Sequence, residues 1–199
     1  MTPSTQTGAP LLVVIDVQNG FIVPASAPAV PAAARLVHAW TAAPAPVVLT
    51  RYYNHADSPF AQVLDWHAMT EAPDTDLVAD LLLYLGKPGV HVVDKDTYSA
   101  LTPEVTRILA ATATTDVYLC GIATDACVLA TAIAMFDAGF TPWIIRDACA
   151  SNASRLPPEQ LHITALTLLE RFLGSRHLID SAQALSAVSA YTGKPKSQP

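Results

Sequence analysis

Leu119-Cys120-Gly121-Ile122-Ala123-Thr124-Asp125-Ala126-Cys127-Val128 is the stretch whose reading decides the fold. Val117 to Cys120 is a short apolar run after a polar break, long enough for a buried strand. Gly121 interrupts it, and Thr124 stands where a helix N-cap is expected, with the helix running over 125–138. Cys127 then falls in the first turn of that helix, where unpaired backbone N–H groups and the helix dipole favour a thiolate. Val128, Leu129, Ile133, Ala134, Met135 and Phe136 make the helix apolar nearly all round, so it is expected to be deeply buried.

Outward from this joint, strand and helix signals alternate along the whole chain. Leu11 to Ile15 is a continuous β-type run without alternation, as a strand buried on both faces of a parallel sheet requires. Further strands are expected at 47–50, 90–93, 117–120, 143–145 and 178–179. Helices are expected at 32–43, 76–85, 103–111, 157–172 and 182–190, punctuated by Pro44, Pro46, Gly86, Gly139 and Gly174. Thr102 and Pro103 form a cap and a first helical position. The pattern predicts an α/β chain: a three-layer α/β/α, Rossmann-like fold with a mostly parallel sheet of about six strands. One domain is expected over 11–191, with a flexible N-terminal arm at 1–10 and a polar tail at 192–199.

Composition narrows the class. The 199 residues are 51% apolar and 14% charged, with a formal charge of −6, which describes a globular chain. No Lys/Arg cluster is present, so an electrostatic nucleic-acid footprint is not expected. The low charge predicts surface covered by other subunits, a homo-oligomer such as a dimer or tetramer. Three cysteines with no C-x-x-C spacing read as reduced thiols, not a disulfide framework. Residues 1–10 carry no basic leader and the apolar run after them is too short for a membrane span, so a cytoplasmic protein without membrane partners is expected.

In open α/β sheets ligands bind at the carboxyl ends of the strands. Five polar residues stand there: Asp16, Arg51, Lys95, Cys127 and Asp147. A carboxylate, an ammonium and a thiol at one rim is the composition of a nucleophilic site. Asp16 could take the thiol proton and return it to a leaving amine, while Lys95 holds Asp16 and favours the thiolate. The turn from Gly121 to Thr124 could aim N–H groups at an oxyanion. Asp125, anionic in the same turn, would raise the Cys127 pKa. Each residue also has a bland reading: a buried thiol, a turn-capping Asp16, a solvated Lys95, and Arg51 and Asp147 paired with each other or with backbone. Cys120 and Cys149 read as structural, and His55 and His67 as isolated.

Three ordered motifs carry a resemblance. Leu12-Val13-Val14-Ile15-Asp16-Val17-Gln18-Asn19-Gly20-Phe21, Lys95-Asp96-Thr97-Tyr98-Ser99-Ala100, and Gly121 to Val128 with Thr131-Ala132 resemble the isochorismatase-like cysteine hydrolases, a superfamily that includes nicotinamidases and N-carbamoyl amidohydrolases. The resemblance implies an Asp–Lys–Cys triad carried by Asp16, Lys95 and Cys127. It also implies a cis peptide at Ile122–Ala123, with the N–H groups of Ala123 and Cys127 as the oxyanion hole. The implied reaction is attack on a small amide or carbamoyl carbon, release of amine or ammonia, and hydrolysis of a thioester. An isochorismate-type hydrolysis, or a non-catalytic thiol sensor or scaffold, are the competing readings.

Nicotinamidases follow the second strand with an Asp-x-His pair that holds a divalent metal. In Thr50-Arg51-Tyr52-Tyr53-Asn54-His55 the corresponding places hold Tyr52 and Asn54, and His55 with Asp57 is too small a donor set. No metal and no other cofactor is therefore expected, only a small-molecule substrate. The resemblance is closer to metal-free members with an Asn in this loop and a Ser-Pro-Phe such as Ser58-Pro59-Phe60. Phe21, Tyr52, Asn54, Trp66 and Tyr98 are the expected pocket lining, with core or subunit interface as the alternative.

Overall fold

The structure, a computed structural model, describes residues 8–191; residues 1–7 of the arm expected at 1–10, and the tail expected at 192–199, lie outside the described residues. In chain order the elements are β1 (Leu11–Ile15), α1 (Ala29–Ala42), β2 (Val47–Tyr52), α2 (Pro59–Leu64), α3 (Ala79–Leu82), β3 (Val90–Lys95), α4 (Pro103–Ala111), β4 (Asp116–Ile122), a π-helical turn (Thr124–Val128), α5 (Leu129–Asp137), β5 (Thr141–Ala150), α6 (Pro158–Leu173), β6 (Leu178–Ile179) and α7 (Ser181–Ser189).

All six strands form one parallel sheet in the order β3-β2-β1-β4-β5-β6. β1 and β4 are buried along their whole length, as unalternating apolar strands covered on both faces must be. α1 buries Ala29, Ala32, Ala33, Leu36, Val37 and Trp40, the three-and-four spacing of one helix stripe laid on a sheet. It packs with α7 on one face of the sheet, while α5 and α6 pack together on the other. The result is the expected α/β/α three-layer fold. Near the amino end of the sheet, Trp40 Nε1 donates to Pro10 O at 3.0 Å and Thr114 Oγ1 to Ala9 O at 2.7 Å, tying residues 9 and 10 to the core.

The structure departs from the sequence reading in four places. The helix expected at 76–85 shrinks to α3, because Asn19 N–H donates to Asp76 O and Val78 N–H to Val17 O, which hold 76–78 extended. The short α2 is an added element; its Ser58 Oγ accepts from Ala61 N–H at 3.1 Å and Pro59 occupies the first turn. Thr124 is not an N-cap: it is fully buried and its Oγ1 lies 2.8 Å from His162 Nδ1 of α6. The helix expected at 125–138 divides into the π turn and α5, and α5 is not buried all round, since Phe136 is 53% exposed.

Candidate active site

β1 and β4 are neighbours in the sheet, but β1 connects onward to β2 on its other side. This is the switch point at which an α/β sheet opens a crevice at its carboxyl edge. Asp16 leaves β1 there with φ +52°, an uncommon conformation for a side-chain-bearing residue. Lys95 closes β3, and Cys127 lies in the π turn after β4. The three meet below the surface. Lys95 Nζ is 2.6 Å from Asp16 Oδ2, both side chains fully buried, and 3.8 Å from Cys127 Sγ. The ammonium also donates to the carbonyls of Thr97 at 2.7 Å and Tyr98 at 3.3 Å.

The state of the thiol differs from the sequence expectation. Burial and the neighbouring Asp16 carboxylate push the Cys127 pKa well up, against smaller opposite effects of Lys95 and the Ala123 N–H. Asp16 and Lys95 neutralise one another, so a buried thiolate would be a third, unbalanced charge. Burial and Asp16 thus favour the thiol over the thiolate. The anion that raises the thiol pKa is Asp16, while the charge of Asp125 acts on His162.

Cys127 faces a cavity of about 360 Å³, in the size range of small-molecule sites. One wall is aromatic: Phe21, Tyr52, Phe60, Trp66 and Tyr98. Tyr52 and Phe60 meet edge to face at 4.9 Å, Phe60 and Tyr98 at 4.7 Å, and Phe21 stacks with Trp66 at 6.3 Å. The opposite wall is Ile122, Ala123, Ala126 and Cys127, and the Ile122–Ala123 peptide is cis. Asn152, Ala153 and Ser154 after β5 form part of the rim. No charged side chain lines the cavity among the described residues.

Four of the five expected pocket residues thus line the cavity, and Asn54 does not. Its amide braces the loop from behind: Nδ2 donates to Trp66 O at 2.7 Å, and Oδ1 accepts from Ser58 Oγ at 2.5 Å and His55 N–H at 3.0 Å. His55 lies 3.4 Å from Asp96 and His67 3.0 Å from Asp65, both pairs exposed. No group of three or more His, Cys, Asp or Glu side chains converges among the described residues, so this donor set does not fit a divalent metal.

The remaining rim candidates serve structure. Arg51 forms a two-pronged pair with Asp94, and Asp147 accepts from Ser181 N–H and Oγ at the start of α7. Cys120 and Cys149 are buried. Burial pushes the Cys149 thiol up to about 12. Three residues that single out no chemistry in the sequence support the site. Gln18 clamps the end of β2, accepting from Tyr52 N–H at 2.7 Å and donating to Tyr52 O at 3.0 Å. Thr131 Oγ1 donates to Cys127 O at 2.6 Å and accepts from Ala100 N–H at 2.8 Å, joining the π turn to the loop after β3. Thr50 Oγ1 donates to Asp16 Oδ1 at 2.6 Å. Gln18 and Thr131 stand inside the quoted motifs and Thr50 opens the quoted run from 50 to 55, and only that placement could have marked them.

The geometry can be set beside known proteins. A cysteine hydrolase from Pseudomonas syringae pv. phaseolicola superposes with a TM-score of 0.82 at 17% identity, covering 96% of this chain and 97% of that one. N-carbamoylsarcosine amidase from Thermoplasma acidophilum superposes with a TM-score of 0.74 at 23% identity, covering 87% and 96%. In sequence, isochorismatase domain-containing protein 2 of Xenopus laevis is 36% identical over 70 residues, 35% of this chain and 34% of that protein. The chain thus spans about a third of the length of such curated relatives. The family model for the isochorismatase domain covers far more, matching residues 10–182, from the residue before β1 into α7. On that match the chain belongs to the isochorismatase family.

Proposed function

We propose that the protein is a metal-independent cysteine hydrolase that cleaves the C–N bond of a small amide with an uncharged, largely apolar acyl group. The observation that carries this reading is the buried contact of Asp16, Lys95 and Cys127 against an aromatic-walled cavity without charged lining. In this reading Cys127 Sγ attacks the amide carbon as its proton passes to Asp16. The N–H groups of Ala123 and Cys127 hold the oxyanion, and Asp16 returns the proton to the departing amine. Water then attacks the thioester carbon with Asp16 again taking a proton; the C–S bond breaks, that proton returns to Cys127 Sγ, and the acid leaves. Coupling thiol deprotonation to attack removes the need for a resting thiolate, which suits the raised thiol pKa. Lys95 keeps Asp16 oriented and balances the charge that migrates.

The test is a panel of small amides, read by ammonia or amine release and by intact mass of the quenched enzyme. Turnover with an acyl mass on Cys127 is expected, with activity unaffected by a chelator. Asp16→Asn should reduce kcat by roughly 10²–10⁴-fold. Absence of turnover together with equal alkylation of Cys120, Cys127 and Cys149 would overturn the hydrolase reading. A benzamide-type substrate should exceed its carboxylate-bearing analogue by about tenfold or more. The reverse preference would assign the carboxylate to Arg155, exposed beside Ser154, and overturn the apolar-acyl reading.

A further inference from the structure

We infer that Thr50 is a positioning residue that assigns the proton-carrying role to one oxygen of Asp16; the inference rests on the hydrolase reading above. Thr50 lies in β2, the strand beside β1, and is fully buried. Its Oγ1 accepts from Asp16 N–H at 3.1 Å and donates to Asp16 Oδ1 at 2.6 Å. A hydroxyl has one proton. With the backbone amide directed at a lone pair of Oγ1, that proton is committed to the carboxylate, and Oδ1 is an acceptor. Oδ2 is placed differently: it faces Lys95 Nζ at 2.6 Å and has no hydrogen bond of standard geometry among the described residues.

The two oxygens are therefore not equivalent. Oδ1 is held by a neutral donor, and Oδ2 faces the ammonium that also lies 3.8 Å from Cys127 Sγ. When Cys127 Sγ attacks, the S–H bond breaks, the S–C bond forms, and the proton goes to Oδ2; the same proton returns from Oδ2 to the leaving nitrogen. Thr50 touches no reacting atom. Its hydroxyl fixes the carboxylate about its Cβ–Cγ bond so that Oδ2 stays in line with the sulfur through both transfers. The reciprocal bond to Asp16 N–H also supports the left-handed backbone of that residue.

The experiment compares wild type, Thr50→Val and Thr50→Ser on the amide the panel identifies, with thermal melting to establish folding. Val keeps the shape and removes the hydroxyl, whereas Ser keeps the hydroxyl. Thr50→Val should lower kcat about a hundredfold with KM within about twofold, because a misdirected base fails in the chemical step and not in binding. Thr50→Ser should stay within about threefold of wild type. Equal kcat in wild type and Thr50→Val, or a Ser variant as impaired as Val, overturns the inference while the hydrolase reading stands. If Thr50→Val does not fold, Thr50→Ala against Thr50→Ser carries the same comparison, and equal kcat overturns it. Failure of the hydrolase reading looks different, since wild type then turns over nothing and Cys120, Cys127 and Cys149 alkylate equally.

Discussion

The Asp16–Lys95 pair sits at full burial, and its energetics follow from that. Two charges taken out of water offset each other's desolvation only while both are present. Lys95→Met is expected to cost about 3–5 kcal/mol of stability in urea unfolding. The double replacement Asp16→Leu with Lys95→Met should recover most of it, because no unpaired charge then remains. A single-variant cost below about 1 kcal/mol would show that water reaches the pair, as at an exposed salt bridge. The same residues illustrate what chemistry and what context each contribute. Asp after five apolar residues, Lys between two aspartates and Cys in a strand-to-helix turn are visible in the chain as residues of catalytic type. The protonation of Cys127 is not visible there. Helix-terminus reasoning favours a thiolate, but burial beside Asp16 outweighs it, and burial is a property of the packed molecule.

At the scale of elements, two joints shape the site. Gly121 has φ +125°, and a Cβ there would overlap the Ile15 carbonyl of the neighbouring strand. Only glycine lets β4 lie this close to β1 while turning towards Cys127. Gly121→Ala is expected to cost more than about 3 kcal/mol and to abolish turnover, read by thermal melting and the amide assay. A variant that melts like wild type would refute the close-approach argument. The second joint is the loop into α2, where Ser58 caps the helix and donates to Asn54, which in turn holds Trp66. Ser58→Ala should remove about 1 kcal/mol of this bracing, which as lost binding is about a fivefold rise in KM with kcat little changed. A fall in kcat at constant KM would instead connect this loop to the chemical step. Most strands and long helices were legible in the chain because apolar periodicity records which face meets the core. α2 was too short to show a period, and the 76–78 segment was claimed by pairing with residues 17–19, a non-local contact.

For the whole molecule, pH is the lever that several buried groups share. His177 accepts from Arg176 Nε at 3.0 Å, and its Nδ1 lies 3.1 Å from Pro142 O, so the neutral ring is the one that fits. His162 lies against Thr124. Burial holds both pKa values below the ordinary 6.5. The unfolded chain therefore takes up these protons first as pH falls, and stability should decline from about pH 6.5 downward. Melting temperatures between pH 5 and 8 check this, and a rise on acidification would contradict it; replacing His177 with Asn should flatten the slope. The amino-acid sequence by itself determined that the sheet is parallel and doubly covered, through strands that are apolar without alternation. It also determined that a carboxylate, an ammonium and a thiol stand at strand ends, and three of its motifs carried the family resemblance. Only the tertiary structure decided that these groups touch, that Thr50 grips one oxygen of Asp16 across 34 residues of chain, and that Asn54 braces the wall without lining it. The physical reason is that periodicity and capping are written in local backbone and in the choice between water and core. Contacts between β1, β2, β3 and β4 depend instead on the order in which the strands lie side by side, and that order arises from the packing of the whole sheet.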